Sequence, residues 1–362
     1  MFVAWRDLMF AKGRFALVGT VIVLITLLVG LLSGLTAGLG RQNVSAITGL
    51  PADKIAFRTP GSGQDLSYAD SAVTRQQWQL WSRTPGVESA EPLGITTTRA
   101  TAGDRSTAVS AFGVEPGSTL APDSGRISDS AVVLSTAAAA DLGVEAGGSL
   151  ALAGQQLKVA AVRGDAYFSH TPVVWTSLDV WQKTAPPTGG GEGPAATVIA
   201  LSTAPGVDTA ATDRQAGTRT VSTEDSLSAI GSYTSENGSL QLMRGFLFAI
   251  SALVIGAFFT VWTIQRSGDI AVLKALGAST AGLLKDAMGQ AVVVLAGGTV
   301  LGTGLAVAAG ALIAGSAVPF VLTPATVLPP AAVMVLLGTL GAALAIRRIT
   351  SVDPLTALGS AR

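Results

Sequence analysis

Four long apolar stretches stand out in the pattern of hydrophobic and polar positions along the chain. The first contains no charged residue and is too long for the apolar core of a cleaved signal peptide, which spans about 7–15 residues. A transmembrane helix needs about 20 predominantly apolar residues, so the pattern predicts four of them. Their expected ranges are 15–39, 246–264, 284–318 and 330–346. The third is rich in glycine, and we expect it to be tilted, kinked or broken at Gly297-Gly298.

The segment 41–243, between the first and second apolar stretches, has a different pattern. Short runs of β-branched and apolar residues alternate with turn signals, which is typical of strands. The expected strands are 54–58, 94–99, 108–114, 131–134, 157–162, 172–175 and 197–201, with helices at 75–83 and 136–142 and a flexible loop at 186–191. A segment this long rarely lacks structure of its own, so we predict an α+β domain.

The predicted architecture is an α-helical membrane protein with four transmembrane helices and an α+β extracytoplasmic domain inserted between helices 1 and 2. Residues 1–40 are expected to hold an interfacial helix near residues 2–12, followed by transmembrane helix 1. Residues 41–243 form the extracytoplasmic domain, and residues 244–362 hold helices 2–4.

Charge is divided between the two compartments that this architecture implies. The whole chain has 23 basic and 23 acidic residues, but segment 41–243 has 13 basic and 19 acidic ones, and the remainder has 10 and 4. Basic residues precede the first stretch, lie between the second and third and follow the fourth, whereas the loop 319–328 between the third and fourth has no charge, and cytoplasmic flanks are the basic ones. These residues are Arg6, Lys12, Arg14, Arg266, Lys274, Lys285, Arg347 and Arg348. We therefore expect a multi-pass plasma-membrane protein, in contact with membrane lipid, with both termini in the cytoplasm.

Several kinds of chemistry are absent from the sequence. There is no phosphate-binding Gly-x-x-x-x-Gly-Lys loop and no Gly-x-Ser-x-Gly motif, and His170 is the single histidine, which excludes a His-Glu-x-x-His metal site. There is no cysteine, so no disulfide or thiolate metal site can form. Apart from Lys285 and Asp286 at the start of the third, the four predicted spans contain no ionisable residue, which argues against ion-coupled transport. We expect a protein without a catalytic site or an intrinsic cofactor, whose energy source is another chain; nothing indicates a nucleic-acid partner.

Two segments could mediate helix packing or assembly. Gly30, Gly34 and Gly38 repeat at four-residue spacing in the first apolar stretch, which allows close helix approach. The stripe could form a dimer seam or pack against the chain's own helices. The loop 265–285 contains a short amphipathic helix that could dock a soluble partner or pack beneath the bundle. Its candidate residues are Asp269, Ile270, Leu273, Lys274, Leu276 and the helix-terminating Gly277.

Three stretches resemble the FtsX-like permease family, which includes the MacB-type transporters. They are QRSGDIAVLKALGAS at 265–279, RRITSVDPLTAL at 347–358 and VLSTAAAADLGV at 133–144. The resemblance covers essentially the whole chain. It implies a homodimer joined to two cytoplasmic ATP-binding cassette subunits, which bind the ATP, and it implies that segment 268–280 is the coupling helix.

A narrower resemblance is to the heme-efflux permeases of the HrtBA type. It rests on segments 14–17, 33–43, 167–175 and 230–240, the last reading IGSYTSENGSL. This resemblance implies that heme is the substrate and that it enters sideways from the outer leaflet near the first and second spans.

A few residues could hold heme. Iron in heme is usually bound by His, Met, Cys or Tyr, and a carboxylate is chemically possible. Tyr233 and Glu236 are three residues apart, so both can lie on one helix face, and in a symmetric dimer two Glu236 carboxylates could ligate one iron. Tyr167 and His170 could contact the porphyrin or its propionates, and Met243 could be a soft ligand. Each also has an ordinary explanation: a helix cap, an interfacial aromatic residue, a packed histidine or a core methionine.

The function predicted from the sequence is the permease subunit of an ATP-driven efflux transporter whose substrate is heme. Export of an antimicrobial peptide or a lipid is an alternative. So is a permease that transports nothing and instead regulates a protein of the cell envelope.

Overall fold

A computed structural model of the protein describes residues 12–184, 194–265, 268, 272, 276–313 and 318–350. The predicted interfacial helix lies almost wholly outside the described residues, as do the loop 186–191, the C-terminal tail and Asp269, Ile270, Leu273 and Lys274. The helices are α1 (Lys12–Thr48), α2 (Arg75–Trp81), α3 (Thr136–Leu142), α4 (Leu178–Thr184), α5 (Ala210–Ala216), α6 (Tyr233–Gln265), α7 (Thr280–Ile313) and α8 (Pro324–Thr350).

Four of these helices, α1, α6, α7 and α8, are long and apolar enough to cross a membrane, as predicted. Three of them exceed the predicted bounds: α1 continues to Thr48, α6 begins at Tyr233, and α8 begins at Pro324 with Pro329 and Pro330 inside it. The helix α7 begins before the predicted span and ends at Ile313. Of the three alternatives expected at Gly297-Gly298, the break is wrong, because α7 is continuous through both glycines. A tilt or a kink stays a prediction. A glycine weakens a helix by about 1 kcal/mol relative to alanine, and here the close packing of Gly298 against Ile22 offsets that cost.

The chain divides into two compact units. One, the membrane unit, comprises Met1–Gly38 and Gly238–Arg362, and the other, the outer unit, is Leu39–Asn237. The outer unit lies between α1 and α6 along the chain, so the predicted fold class is confirmed.

Small residues at four-residue spacing join α1 to α7 in the membrane unit. A Cβ atom on Gly298 would lie 2.7 Å from Ile22, one on Gly302 would lie 2.7 Å from Thr26 Cβ, and one on Gly30 would lie 2.7 Å from Ala306 Cβ. Contacts at 22/298, 26/302 and 30/306 keep a constant offset, so the two helices run parallel and in register. Close helix approach of this kind is what small residues permit in membranes.

The other two glycines of the stripe contact the segment between α7 and α8. The Phe320 ring fills the space beside both Gly34 and Gly310, and Val321 N donates a 3.1 Å hydrogen bond to Gly34 O. A Cβ atom on Gly38 would collide with the Pro319 carbonyl. All three predicted stripe glycines thus pack within the chain, while their use as a dimer seam stays a prediction.

A buried apolar cluster holds the four helices of the membrane unit together. Each helix contributes to it: Ile22 and Val29 from α1; Ile255, Phe259 and Trp262 from α6; Ala291 and Leu295 from α7; Met334, Ala342 and Ala345 from α8. Because lipid is as apolar as these side chains, dispersion contacts and fit stabilise the bundle more than water exclusion does.

The outer unit is built on a ten-stranded sheet. Its strands are β1 (Lys54–Arg58), β2 (Val87–Ala102), β3 (Arg105–Val114), β4 (Ala131–Leu134), β5 (Ser149–Leu152), β6 (Gln155–Val162), β7 (Tyr167–Phe168), β8 (Thr171–Ser177), β9 (Val198–Thr203) and β10 (Thr218–Ser222). Nine strands follow the order β10-β1-β9-β2-β3-β8-β4-β6-β5, and β7 pairs with β8 outside this path. Strand β5 pairs back to β2, which closes six strands into a ring. The pairs β3–β8 and β4–β6 are parallel, and the others are antiparallel.

Local sequence signals explain the short helices of the outer unit. Thr74 and Gln77 form a reciprocal capping box at the start of α2. Ser135 caps the N-terminus of α3, and Gly143, with φ 62°, ends that helix in the left-handed conformation.

A line of edge-to-face aromatic contacts runs through the core of the outer unit. Phe57 contacts Tyr68, Tyr68 contacts Phe168, and Phe112 contacts both Phe168 and Trp175, with ring centroids 4.8–5.6 Å apart. Burial raises the pKa of Tyr68, so its phenol stays protonated and donates to Ser226 Oγ. Phe168 anchors β7 to this core.

The close contact between α1 and α7 should make the protein sensitive to a larger side chain at Gly302. In Gly302→Ala, the new Cβ would lie 2.6 Å from the Val23 carbonyl oxygen, a backbone atom that cannot move aside. We expect a loss of about 1–3 kcal/mol, seen as a lower melting temperature of the full-length protein by tryptophan fluorescence.

Gly304→Ala is the matched control, because the same helix leaves open space around Gly304. It should melt at the same temperature or slightly higher, since alanine favours a helix over glycine. Equal melting temperatures for the two variants would contradict the close packing of α1 on α7.

Candidate functional site

A tight hairpin between β7 and β8 presents two of the predicted site residues. Tyr167 pairs with Pro172 and Phe168 with Thr171, which leaves Ser169 and His170 as the two-residue turn. Both have positive φ, 47° and 63°, the sign pattern of a type I′ turn. Non-glycine residues adopt this conformation at a cost of about 1 kcal/mol or more each, so surrounding contacts must hold the turn in place.

Those contacts come from the last part of α1. Ser169 N donates to Asn43 O at 2.9 Å, and His170 N donates to Gln42 O at 3.0 Å. Ser45 Oγ accepts from Tyr167 N at 2.9 Å. The hairpin is therefore bound to α1 by these three hydrogen bonds, two between backbone groups and one to the Ser45 hydroxyl, which hold the backbone of His170 against that helix.

Glu236, in the first turn of α6, completes a polar group that we call the Glu236 cluster: Asn43, His170 and Glu236. Asn43 Nδ2 donates to Glu236 Oε2 at 2.9 Å, and His170 Nε2 lies 2.7 Å from the same oxygen. The carboxylate and imidazole side chains are 40% and 35% exposed, whereas Asn43 is only 3% exposed. The cluster thus combines one buried amide with two solvent-accessible ionisable side chains.

The donors and acceptors of these groups determine which atoms of the cluster can bind a ligand. An ionised carboxylate only accepts, so Nε2 of His170 must carry the hydrogen when Glu236 is charged. A doubly protonated His170 would form an ion pair with Glu236, and a neutral one would form a hydrogen bond. Both described contacts fall on Oε2, so Oε1 is the oxygen better placed to take a ligand.

A second polar group lies beside the same hairpin. Arg41 Nη2 is 2.7 Å from both carboxylate oxygens of Asp165, and the two side chains are about half exposed. Partial burial raises the pKa of Tyr167, and the charges of Asp141 and Asp165 raise it further, although Gln42 and Arg41 act in the opposite direction. The Tyr167 phenol is therefore protonated at neutral pH and can donate a hydrogen bond.

The remaining predicted site residues are placed differently. Tyr233 is half-buried and packs against the core of the outer unit. Met243 belongs to the membrane unit and is exposed. Leu276 is exposed, and Gly277 has φ 93°, the left-handed conformation that suits a helix end.

Two residues of the site, Asn43 and Arg41, were not expected from the sequence. Their partners, Glu236 and Asp165, are 193 and 124 positions away, so no local spacing pattern points to these pairs. The one available signal is the polar run Arg41-Gln-Asn43 directly after an apolar stretch.

An open cavity elsewhere in the outer unit contains none of these residues. Its volume is about 570 Å³, and α3 and β6 line it together with Arg126 and Arg163. Arg163 is engaged by Asp123 at 3.0 Å. We therefore place the candidate site at the Glu236 cluster.

Comparison with known proteins identifies two family regions. Residues 16–219 match the MacB-like periplasmic core domain, and residues 242–354 match the FtsX-like permease C-terminal region. The first match covers more than half of the chain.

Individual relatives agree with these matches. A Staphylococcus haemolyticus protein that carries the name hemin transport system permease protein HrtB is 23% identical over 367 residues, which cover 99% of each chain. An uncharacterized ABC transporter permease of Mycobacterium bovis is 24% identical over 377 residues, again 99% of each. Among solved structures, the periplasmic region of MacB from Actinobacillus actinomycetemcomitans is 12% identical, with a TM-score of 0.35, and covers 49% of this chain and 92% of that one.

Four membrane helices, an α+β domain between the first two and the matches to both regions lead to one conclusion: the chain belongs to the FtsX-like permeases with a MacB-like periplasmic core domain, and it is an ABC transporter permease.

Proposed function

We propose that this permease exports heme, with energy from ATP hydrolysed by a cassette subunit on the cytoplasmic side. The name of the full-length Staphylococcus haemolyticus relative supports the substrate. The observation that carries the proposal is the Glu236 cluster, where Asn43 and His170 both contact Oε2 of a half-exposed carboxylate.

The composition of the cluster suits porphyrin iron better than a free metal ion. A site built from protein ligands alone commonly needs three or four of them, and one carboxylate with one imidazole is too few. Porphyrin iron already has four nitrogen ligands and requires only axial ones. Glu236 Oε1 would supply one axial ligand, and His170 would keep the carboxylate oriented through Oε2 or ligate in its place.

Residues near the cluster match the periphery of heme. Its two propionates are carboxylates, and Arg41 already holds a carboxylate, that of Asp165, at the solvent-exposed end of α1. Exposed ion pairs of this kind contribute little, about 0–1 kcal/mol, so a ligand carboxylate can compete with Asp165. The protonated Tyr167 phenol is a further donor to a propionate, and Tyr233 offers an aromatic face.

The assembly that we propose follows the ABC permease pattern. Two copies of this chain would join two ATP-binding subunits, and each copy would contribute one Glu236 to the iron. The loop 268–280 would receive motion from the ATP-binding subunits, both termini would be cytoplasmic, and the outer unit would face outward.

Hemin binding by the full-length protein in lipid nanodiscs tests the site. Glu236→Gln keeps the size of the side chain but removes the charged iron ligand, so hemin affinity should fall by at least about tenfold and the Soret band should shift. Glu224→Gln is the matched control, because Glu224 is an exposed glutamate of the same unit. An unchanged Soret band and affinity in the Glu236 variant would rule out Glu236 as the ligand.

The proposed orientation can be tested with single cysteines, because the natural chain has none. Ser62 is exposed in the outer unit, and Ser279 is exposed between α6 and α7. A membrane-impermeant maleimide added to intact cells should label Ser62→Cys and leave Ser279→Cys unlabelled until the cells are permeabilised. The reverse result would invert the topology.

A further inference from the structure

Asn43 is a buried polar side chain whose hydrogen bonding is only half satisfied. It is 3% exposed on α1, its Nδ2 donates to Glu236 Oε2, and its Oδ1 has no hydrogen-bond partner among the described residues. A buried acceptor without a partner costs about 1–3 kcal/mol, and such groups are rare enough in folded proteins to need a reason. An apolar side chain of the same shape would avoid this cost.

We infer that Asn43 is the positioning residue of Glu236, and that it holds Oε2 so that Oε1 stays available to the iron of heme. This inference rests on the function proposed above and adds a role to it. Asn43 would not touch the iron; it would act only through the carboxylate. Groups that orient a metal ligand in this way typically change metal affinity by about 10–100-fold when they are removed.

The geometry of the cluster explains why an amide is suited to this position. An aspartate at position 43 would place a second carboxylate beside Glu236, and two adjacent carboxylates repel each other. A leucine would fill the space but offer no donor. His170 also approaches Oε2, but its side chain is exposed on a turn, whereas Asn43 sits on a helix and is enclosed, so Asn43 is the more rigid of the two partners.

Replacement of Asn43 should weaken hemin binding without lowering stability, a combination that a purely structural role would not produce. Asn43→Leu removes the unpartnered Oδ1 and should leave the melting temperature unchanged or raise it. The same variant should bind hemin about 10–100-fold more weakly. Thr176→Val is the matched control, because Thr176 is also buried and its Oγ1 has no hydrogen-bond partner in the described part of the chain, but it lies outside the cluster. This variant should leave hemin binding unchanged.

A double-mutant cycle on the full-length protein in nanodiscs completes the test, with hemin affinity read from the Soret band. If Asn43 acts through Glu236, Asn43→Leu should have no further effect once Glu236→Gln is present. The same loss in both backgrounds would overturn the inference and leave the proposed heme site intact. A loss for Glu236→Gln without any loss for Asn43→Leu would overturn it as well. No loss for Glu236→Gln would instead refute the proposed site, and the positioning role with it.

Discussion

The left-handed backbone of Ser169 and His170 is the constraint on which the site depends. These two non-glycine residues have positive φ. The conformation is unfavourable, so other contacts must stabilise it. Backbone hydrogen bonds to Gln42 and Asn43 hold the turn from one side, and Phe168 anchors it to the aromatic core from the other. Because the turn is fixed at both ends, the backbone of His170 is held where its imidazole reaches Glu236.

The site that results is assembled from three distant parts of the chain. The end of α1 provides a buried amide, the hairpin provides an imidazole and a phenol, and the first turn of α6 provides a carboxylate. An acidic side chain is favoured in that first turn, because the N-terminus of a helix carries partial positive charge. Rigid elements thus present exposed chemical groups, which is the arrangement that binding sites need.

Much of the fold could be predicted because its signals are local. The length of the apolar stretches indicates the membrane helices. Ser135 and Gly143 mark the ends of α3, and the observed helix matches the predicted bounds 136–142. The continuation of α1 to Thr48 could not be predicted. The last part of this helix is polar, and a polar stretch after an apolar one indicates that a transmembrane helix has ended. Glu236 and His170 could be selected by their chemistry alone. Their contact could not, because it depends on how a hairpin packs on α1, and no spacing along the chain encodes that.

The register of α1 against α7 has a mechanical consequence. Small residues recur every four positions on both helices, so their surfaces would match again after one helix slides along the other by four residues, about 6 Å. Phe320 breaks this equivalence, because its ring occupies a single place beside Gly34 and Gly310. The phenylalanine therefore favours one of the two registers that the small residues alone would allow.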